Sequence, residues 1–125
     1  MKVSLTNLKN LLLNNVAEIK FSRRRIKFGA STTRRMLCTN SLTLLNSTEG
    51  RIALNYRRAI TAPQFDPATK NLLITWDIFM QDYRCVNMAA CELIQVIPAN
   101  QQFWKFFNEK LALLSAQQKI NFMNS

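Results

Sequence analysis

The chain has 125 residues, enough for one domain with its own core but not for two. Its 17 Lys and Arg outnumber its 7 Asp and Glu and give a net charge of +10, so a polyanion such as nucleic acid is the first partner to consider. The chain contains no His and only 2 Gly, which excludes Ser-His-Asp triads, HExxH zinc sites, P-loops and dinucleotide fingerprints. We therefore expect a non-enzymatic protein without a metal or a cofactor.

The first forty residues predict a short helix followed by a β-hairpin. Ser4 is a suitable cap for a helix over residues 4–14, where leucines recur at helical spacing. Apolar and polar residues then alternate over residues 16–23, which predicts a half-buried strand. Residues 33–39 can return as its antiparallel partner, so residues 24–32 would form a long basic tip.

The middle of the chain carries weaker signals. Leucines at residues 42–45 favour a short helix that Gly50 ends. Residues 52–54 fit either another strand or a short turn. Residues 59–70 contain two prolines among small and polar residues, which predicts a loop.

Residues 71–98 give the clearest β signal. Residues 71–80 are rich in β-branched and aromatic side chains, and residues 83–88 can return after a turn at Gln81–Asp82. Residues 92–97 predict one more strand, which Pro98 closes.

A two-residue turn at this position fixes the register of the predicted hairpin. Met80 would then lie opposite Tyr83, and Asp77 would lie diagonal to Arg84 on the same face of the sheet. We interpret Asp77 and Arg84 as a structural salt bridge, with a functional pair as the alternative.

Two helices are predicted at the C-terminal end. An apolar stripe indicates a helix over residues 100–114, and Ser115 with Gln118 spells a capping box for a last helix that runs to Met123. This order of elements predicts an α+β fold with a small antiparallel β-barrel of about five strands. A short N-terminal helix and two C-terminal helices would flank the barrel in a single domain over residues 1–125.

The cysteines and the N-terminal residues bear on the compartment. Cys38, Cys85 and Cys91 are odd in number and include no CxxC pair, which favours inert, mostly buried thiols in a reducing compartment. The N-terminal residues resemble neither a signal peptide nor a membrane span. We expect a protein of the cytoplasm that does not interact with a membrane.

The positive charge is concentrated in one third of the chain. From Lys20 to Arg58 the sequence holds ten basic residues and a single acid, Glu49. Eight of the ten are Arg, whose planar guanidinium grips phosphate oxygens in pairs and stacks on bases. We therefore predict a surface that binds RNA or single-stranded DNA. The predicted nucleic-acid-binding residues are Lys20, Arg23, Arg24, Arg25, Lys27, Arg34, Arg35, Arg51, Arg57 and Arg58. Tyr56 and Phe79 are candidate stacking residues.

Two other interpretations of the charge stay open. The basic residues would also serve a solubilising surface, or the docking of an acidic protein. In the second case the chain is a protein-interaction module. Phe106, which lies off the main apolar stripe of its helix, is either packed or part of such a partner surface.

Several stretches resemble small tailed-bacteriophage proteins with an Sm-like or SH3-like β-barrel related to WYL domains. The resemblance rests on LITWDIFMQDYR at residues 73–84, with residues 86–88 and 93–94, and on MLCT at 36–39 and GRIALNYR at 50–57. It implies an SH3-like barrel in a phage protein located in the host cytoplasm. As a protein-interaction module, such a protein would bind a host or phage protein or be a structural component of the virion. WYL domains are sensing modules of bacterial transcription regulators, and some are thought to bind nucleic acid or nucleotides. The candidate ligand residues that the resemblance implies include Tyr83 and Arg84.

Overall fold

An antiparallel sheet with helices on both faces forms the described part of the chain. The computed structural model describes residues 1–23, 32–57 and 70–125. Its strands are β1 (Asn15–Ser22), β2 (Thr33–Thr39), β3 (Leu72–Asp77), β4 (Asp82–Asn87) and β5 (Glu92–Pro98). Its α-helices are α1 (Leu5–Leu12), α2 (Leu42–Leu45), α3 (Thr48–Ala53), α4 (Gln101–Glu109) and α5 (Ala116–Met123). The predicted tip at 24–32 and the predicted loop at 59–70 lie almost wholly outside the described residues.

The strand order is β4-β3-β2-β1-β5, and every neighbouring pair is antiparallel. The predicted first hairpin is confirmed, with Val16 opposite Thr39 at one end and Ser22 opposite Thr33 at the other. The predicted closure into a barrel is wrong for the described residues, because β4 and β5 are the two edges of an open sheet. A closed barrel of this size encloses one core, whereas this sheet buries apolar side chains on both of its faces.

One face of the sheet packs against α1. Alternation along β1 sends Ala17, Ile19 and Phe21 to this face, where they meet Leu8 and Leu12 of α1. The helix begins at Ser4 as predicted, since the Ser4 hydroxyl accepts a hydrogen bond from the N–H of Asn7 at 3.2 Å. This core is mostly aliphatic, with thiol and thioether groups from β2 and from the turn before β5.

The other face packs against the remaining helices and is more aromatic. The fully buried ring of Trp76 lies edge-on to Tyr56 and Tyr83, with centroids 5.0 and 5.1 Å apart. Phe103 of α4 is also fully buried in this core. Phe106, which the sequence left as either packed or part of a partner surface, packs against the same cluster, so α4 covers this face of the sheet.

Three local predictions are corrected. The turn between β3 and β4 spans residues 78–81, so Trp76 and not Met80 faces Tyr83. The turn lies earlier because the Asp77 carboxylate accepts hydrogen bonds from the N–H groups of Phe79 and Met80, both at 3.1 Å. Residues 52–54 form no strand; they end α3. The helix predicted to reach residue 114 ends earlier, because Lys110 leaves helical geometry and a 3-10 turn follows.

Gly50 does not end a helix but lies inside α3. Ser47 caps α3 by accepting a hydrogen bond from the Gly50 N–H at 3.0 Å. A Cβ at this position would collide with the backbone carbonyl groups of Leu44 and Leu45. Gly50 therefore permits the close approach of α3 to α2.

Candidate nucleic-acid interface

Four predicted basic residues gather at one end of the β1–β2 hairpin. Lys20 lies near the end of β1, Arg23 directly follows that strand, and Arg34 and Arg35 are near the start of β2. We call these four residues the cationic loop end. The Arg23 N–H donates to the carbonyl of Thr32 at 3.0 Å, which brings together the two ends of the connecting segment. Three further predicted residues, Arg24, Arg25 and Lys27, lie outside the described residues.

Like charges face each other at the cationic loop end. Lys20 and Arg35 are direct cross-strand partners, an arrangement that destabilises a sheet unless anions compensate it. Part of that compensation is present, since Glu92 of β5 lies opposite Lys20 on its other side and Glu18 pairs with Arg35. Partial burial lowers the pKa of Arg23, and the positive charge of Arg34 lowers it further. An anion bound here would relieve this repulsion.

Arg34 is partly neutralised by a buried carboxylate. Its guanidinium forms an ion pair with Asp77, whose side chain is 1% exposed. Burial raises the pKa of Asp77, while the Arg34 charge and the Met80 N–H act to lower it. Since the same carboxylate caps the β3–β4 turn, this pair is a structural element of the sheet. The predicted pair with Arg84 is not formed: Arg84 lies 3.5 Å from Asp82 instead.

Arg35 has a similar partner but keeps more exposure. Its Nε donates to the Glu18 carboxylate at 3.1 Å, and a second guanidinium nitrogen contacts the same oxygen. The Arg35 side chain remains 30% exposed, against 12% for Arg34. Arg35 therefore retains surface for an external anion, whereas Arg34 serves mainly to hold Asp77.

The other predicted basic residues lie elsewhere or outside the described ranges. Arg51 lies on α3, beyond the opposite end of β2, and lines an open cleft of about 720 Å³ with Leu42, Asn46 and Tyr56. Arg57 is exposed shortly after α3, and Arg58 is outside the described residues. The structure thus groups the hairpin residues and does not bring Arg51 into that group.

The candidate stacking and ligand residues have structural contacts. Tyr56 is 8% exposed, and its hydroxyl lies 2.6 Å from that of Tyr83. Arg84 donates to the carbonyl of Tyr83 at 3.0 Å. Phe79 is half-buried, with the ring of Phe122 edge-on at 5.2 Å. Tyr56 thus has little ring surface for a base, whereas Phe79 packs against the aromatic core on one side and contacts Phe122 and Lys119 of α5.

A feature that the sequence analysis missed is a cleft between α3 and α4. The cleft measures about 380 Å³ and is lined by apolar groups, including Ile52 and Trp104, and by polar groups such as Glu49, Gln101 and Asn108. Ile52 is 77% exposed, an unusual position for a large aliphatic side chain. The sequence contains a signal for this exposure. Ser47 is a residue type that caps helices, and in a helix that begins after it Ile52 lies on the opposite side from the buried Gly50.

The thiols are poorly placed for chemistry. Cys38 and Cys91 are buried, which raises the pKa of both, that of Cys91 to about 11. A buried neutral thiol is a weak nucleophile, in agreement with the predicted inert role. Among residues 1–23, 32–57 and 70–125, no group of three or more Cys, Asp or Glu side chains could hold a metal ion. No helix in these ranges is long and apolar enough to cross a membrane.

Comparison with known proteins gives no match to a family model, to a curated protein or to a solved structure. The resemblance to phage Sm-like and WYL-related proteins therefore stays a prediction.

Proposed function

We propose that this chain is a non-enzymatic protein that binds RNA or single-stranded DNA at its cationic loop end. The observation that carries the proposal is the set of like charges held together there: Lys20 faces Arg35, and Arg23 lies beside Arg34. From Lys20 to Arg35 the sequence contains seven basic residues and no acid. Folding thus leaves repulsion in place that phosphate groups would relieve.

The pairing of the acidic residues near the hairpin with arginines supports the same function. The two buried carboxylates of the hairpin region, Glu18 and Asp77, are each paired with an arginine, so neither presents a free negative charge to an approaching polyanion. Arg23 and the basic residues of the adjoining segment add positive charge without adding an acid. Phosphate contacts of this kind position a nucleic acid without reading its sequence.

The test replaces Arg23, Arg24 and Arg25 with Ala and measures binding of labelled single-stranded RNA across a salt series. Each lost phosphate contact lowers the salt slope of binding by about 0.7, so we expect a reduction of about 2 and a large loss of affinity. The matched control replaces Lys9, Lys105 and Lys110, three exposed lysines elsewhere in the fold, and removes the same charge. Equal weakening by both triple variants would show a general charge effect and contradict the proposed site.

A second candidate function is a protein-interaction module, and the cleft between α3 and α4 favours it. Exposed Ile52 beside Trp104 provides an apolar anchor point with polar groups at the rim, as protein interfaces have. A host or phage protein captured from infected cells after nuclease treatment, and lost with Ile52→Asp, would support this function. Loss of every captured protein on nuclease treatment would contradict it.

A further inference from the structure

We propose that α5 is a displaceable cover over a base-and-phosphate subsite formed by Arg23, Arg35 and Phe79. The inference rests on the proposed function and identifies which surface of the chain a single strand would occupy. It begins from the burial of α5: none of its residues is fully buried, and of its apolar side chains Phe122 packs against the aromatic core. A 3-10 turn at Leu111–Leu113 and the residues after it connect this helix to α4.

The residues at the end of α5 contact three of the predicted nucleic-acid-binding arginines. Arg23 donates to the Asn124 side-chain oxygen at 2.7 Å, and Arg35 donates to the Ser125 hydroxyl at 3.1 Å. The Arg35 guanidinium also lies 4.9 Å from the centre of the Phe122 ring. Arg34 contacts the sulfur of Met123 at 3.5 Å. These contacts cover the groups that a phosphate backbone would need.

The same helix covers the aromatic residue nearest to the arginines. The Phe122 ring contacts both Arg35, at 4.9 Å, and Phe79, at 5.2 Å, so these two side chains are neighbours of the same ring. Lys119 adds a second contact, with its ammonium group 5.8 Å from the Phe79 ring centre. Removal of α5 would expose an aromatic ring beside two guanidinium groups, the combination that single-strand binding proteins use.

The contacts of α5 are of a kind that a nucleic acid can replace. Asn124 and Ser125 offer the arginines uncharged side-chain acceptors, whereas a phosphate offers ionised oxygens that a guanidinium can bind in pairs. A base stacked on Phe79 would replace the edge-on contact of Phe122. Arg34 would stay in place when a nucleic acid replaces α5, because its ion pair with Asp77 holds it.

The primary test compares the full chain with a variant that lacks residues 115–125, using a short fluorescein-labelled oligouridylate and oligothymidylate. The deletion removes one Lys and no acidic residue, so it lowers the net positive charge. If charge alone governs binding, the deletion weakens it. A displaceable cover predicts instead binding that is about five- to tenfold tighter, as expected for the loss of one or two competing hydrogen bonds. Unchanged or weaker binding by a folded deletion variant would overturn the inference.

Point variants test the same inference while the chain keeps its length and charge. Phe122→Ala removes the ring that contacts both Arg35 and Phe79 and is expected to tighten binding severalfold. Ile120→Ala is the matched control, since Ile120 lies on the same helix, is 45% exposed and is not packed against either core. Phe79→Ala in the deletion variant should abolish the gain in affinity. Equal affinities for Phe122→Ala and Ile120→Ala would overturn the cover.

The two proposals fail differently. Salt-sensitive binding by the full chain that does not tighten in either α5 variant overturns the cover and leaves the proposed function standing. Absence of binding by the full chain, the deletion variant and Phe122→Ala alike overturns both.

Discussion

The two ends of the β1–β2 hairpin have the same strands but different surroundings. At the far end, Val16 and Thr39 are fully buried, and the Thr39 hydroxyl donates to the Asn15 carbonyl at 2.9 Å and accepts from the Ser41 N–H at 3.1 Å. At the cationic loop end, arginines meet neutral surface groups of α5 and one another. The far end is buried and hydrogen-bonded, whereas the loop end carries more basic than acidic side chains even though Asp77 and Glu18 pair with Arg34 and Arg35. Substitutions should therefore separate stability from binding along one hairpin.

The largest effect on stability is expected at Asp77, which joins the two ends. Its carboxylate pairs with Arg34 of the loop end and caps the β3–β4 turn. In the sequence, Asp77 directly follows Trp76, the cross-strand partner of Thr39 at the far end. Asp77→Ala would leave a mostly buried guanidinium and two N–H groups without their acceptor, so the free energy of unfolding should fall by about 3–5 kcal/mol. Asp77→Asn, which retains an acceptor oxygen, should cost less. Urea denaturation measures both, and equal stability of Asp77→Ala and the parent chain would contradict the assigned role.

Gly50 offers a test in which the sign of the effect is informative. In an exposed helix, Gly→Ala stabilises by about 1 kcal/mol because alanine has the higher helix propensity. Here the added Cβ would collide with the α2 backbone, so we expect Gly50→Ala to destabilise by about 1–3 kcal/mol. Thermal unfolding followed by circular dichroism would measure the change. A raised melting temperature would show that α2 and α3 are not packed closely.

Substitutions at Thr39 and Arg23 compare the far end and the loop end of the hairpin most directly. Thr39→Val keeps the shape of the side chain but leaves the Ser41 N–H without its acceptor, at a cost of about 1–3 kcal/mol. Arg23→Ala at the loop end removes one surface hydrogen bond and should change stability by less than about 0.5 kcal/mol. Binding of single-stranded RNA should respond in the opposite way, with a loss for Arg23→Ala and none for folded Thr39→Val. Parallel denaturation and anisotropy titrations check both, and a reversed pattern would refute the separation.

Much of the fold follows from local patterns in the sequence. Period-two alternation predicts β1 and β2 to within about one residue, and both capped helices begin where Ser4 and Ser115 indicate. These features depend on neighbouring residues alone. The capping box at Ser115 is formed in full, with reciprocal hydrogen bonds to Gln118.

The errors arise where a distant contact decides the outcome. Residues 78–80 are apolar and continue the pattern of a strand, but the Asp77 carboxylate turns the chain there because Arg34, 43 positions away, holds it in place. The open sheet was also unpredictable from alternation, since strand patterns do not specify which edges meet. The roles of Arg34 and Arg35 also depend on distant contacts. The sequence identifies both residues as basic, but only the fold shows that Asp77 pairs with Arg34 and Glu18 with Arg35.

The most direct measurement is the affinity of the full chain for labelled single-stranded RNA and DNA over a range of salt concentrations, with heparin as the competing polyanion. The sequence from Lys20 to Arg35 holds six basic residues besides Arg34, which pairs with Asp77. Six phosphate contacts predict a plot of log Kd against log salt with a slope of about 4. The account also predicts that nucleic acid is preferred over heparin, because a strand offers bases to Phe79 as well as phosphates to arginines. Equal binding to heparin would indicate a basic surface and nothing more. Absence of binding at physiological salt would contradict the central claim and favour a protein partner.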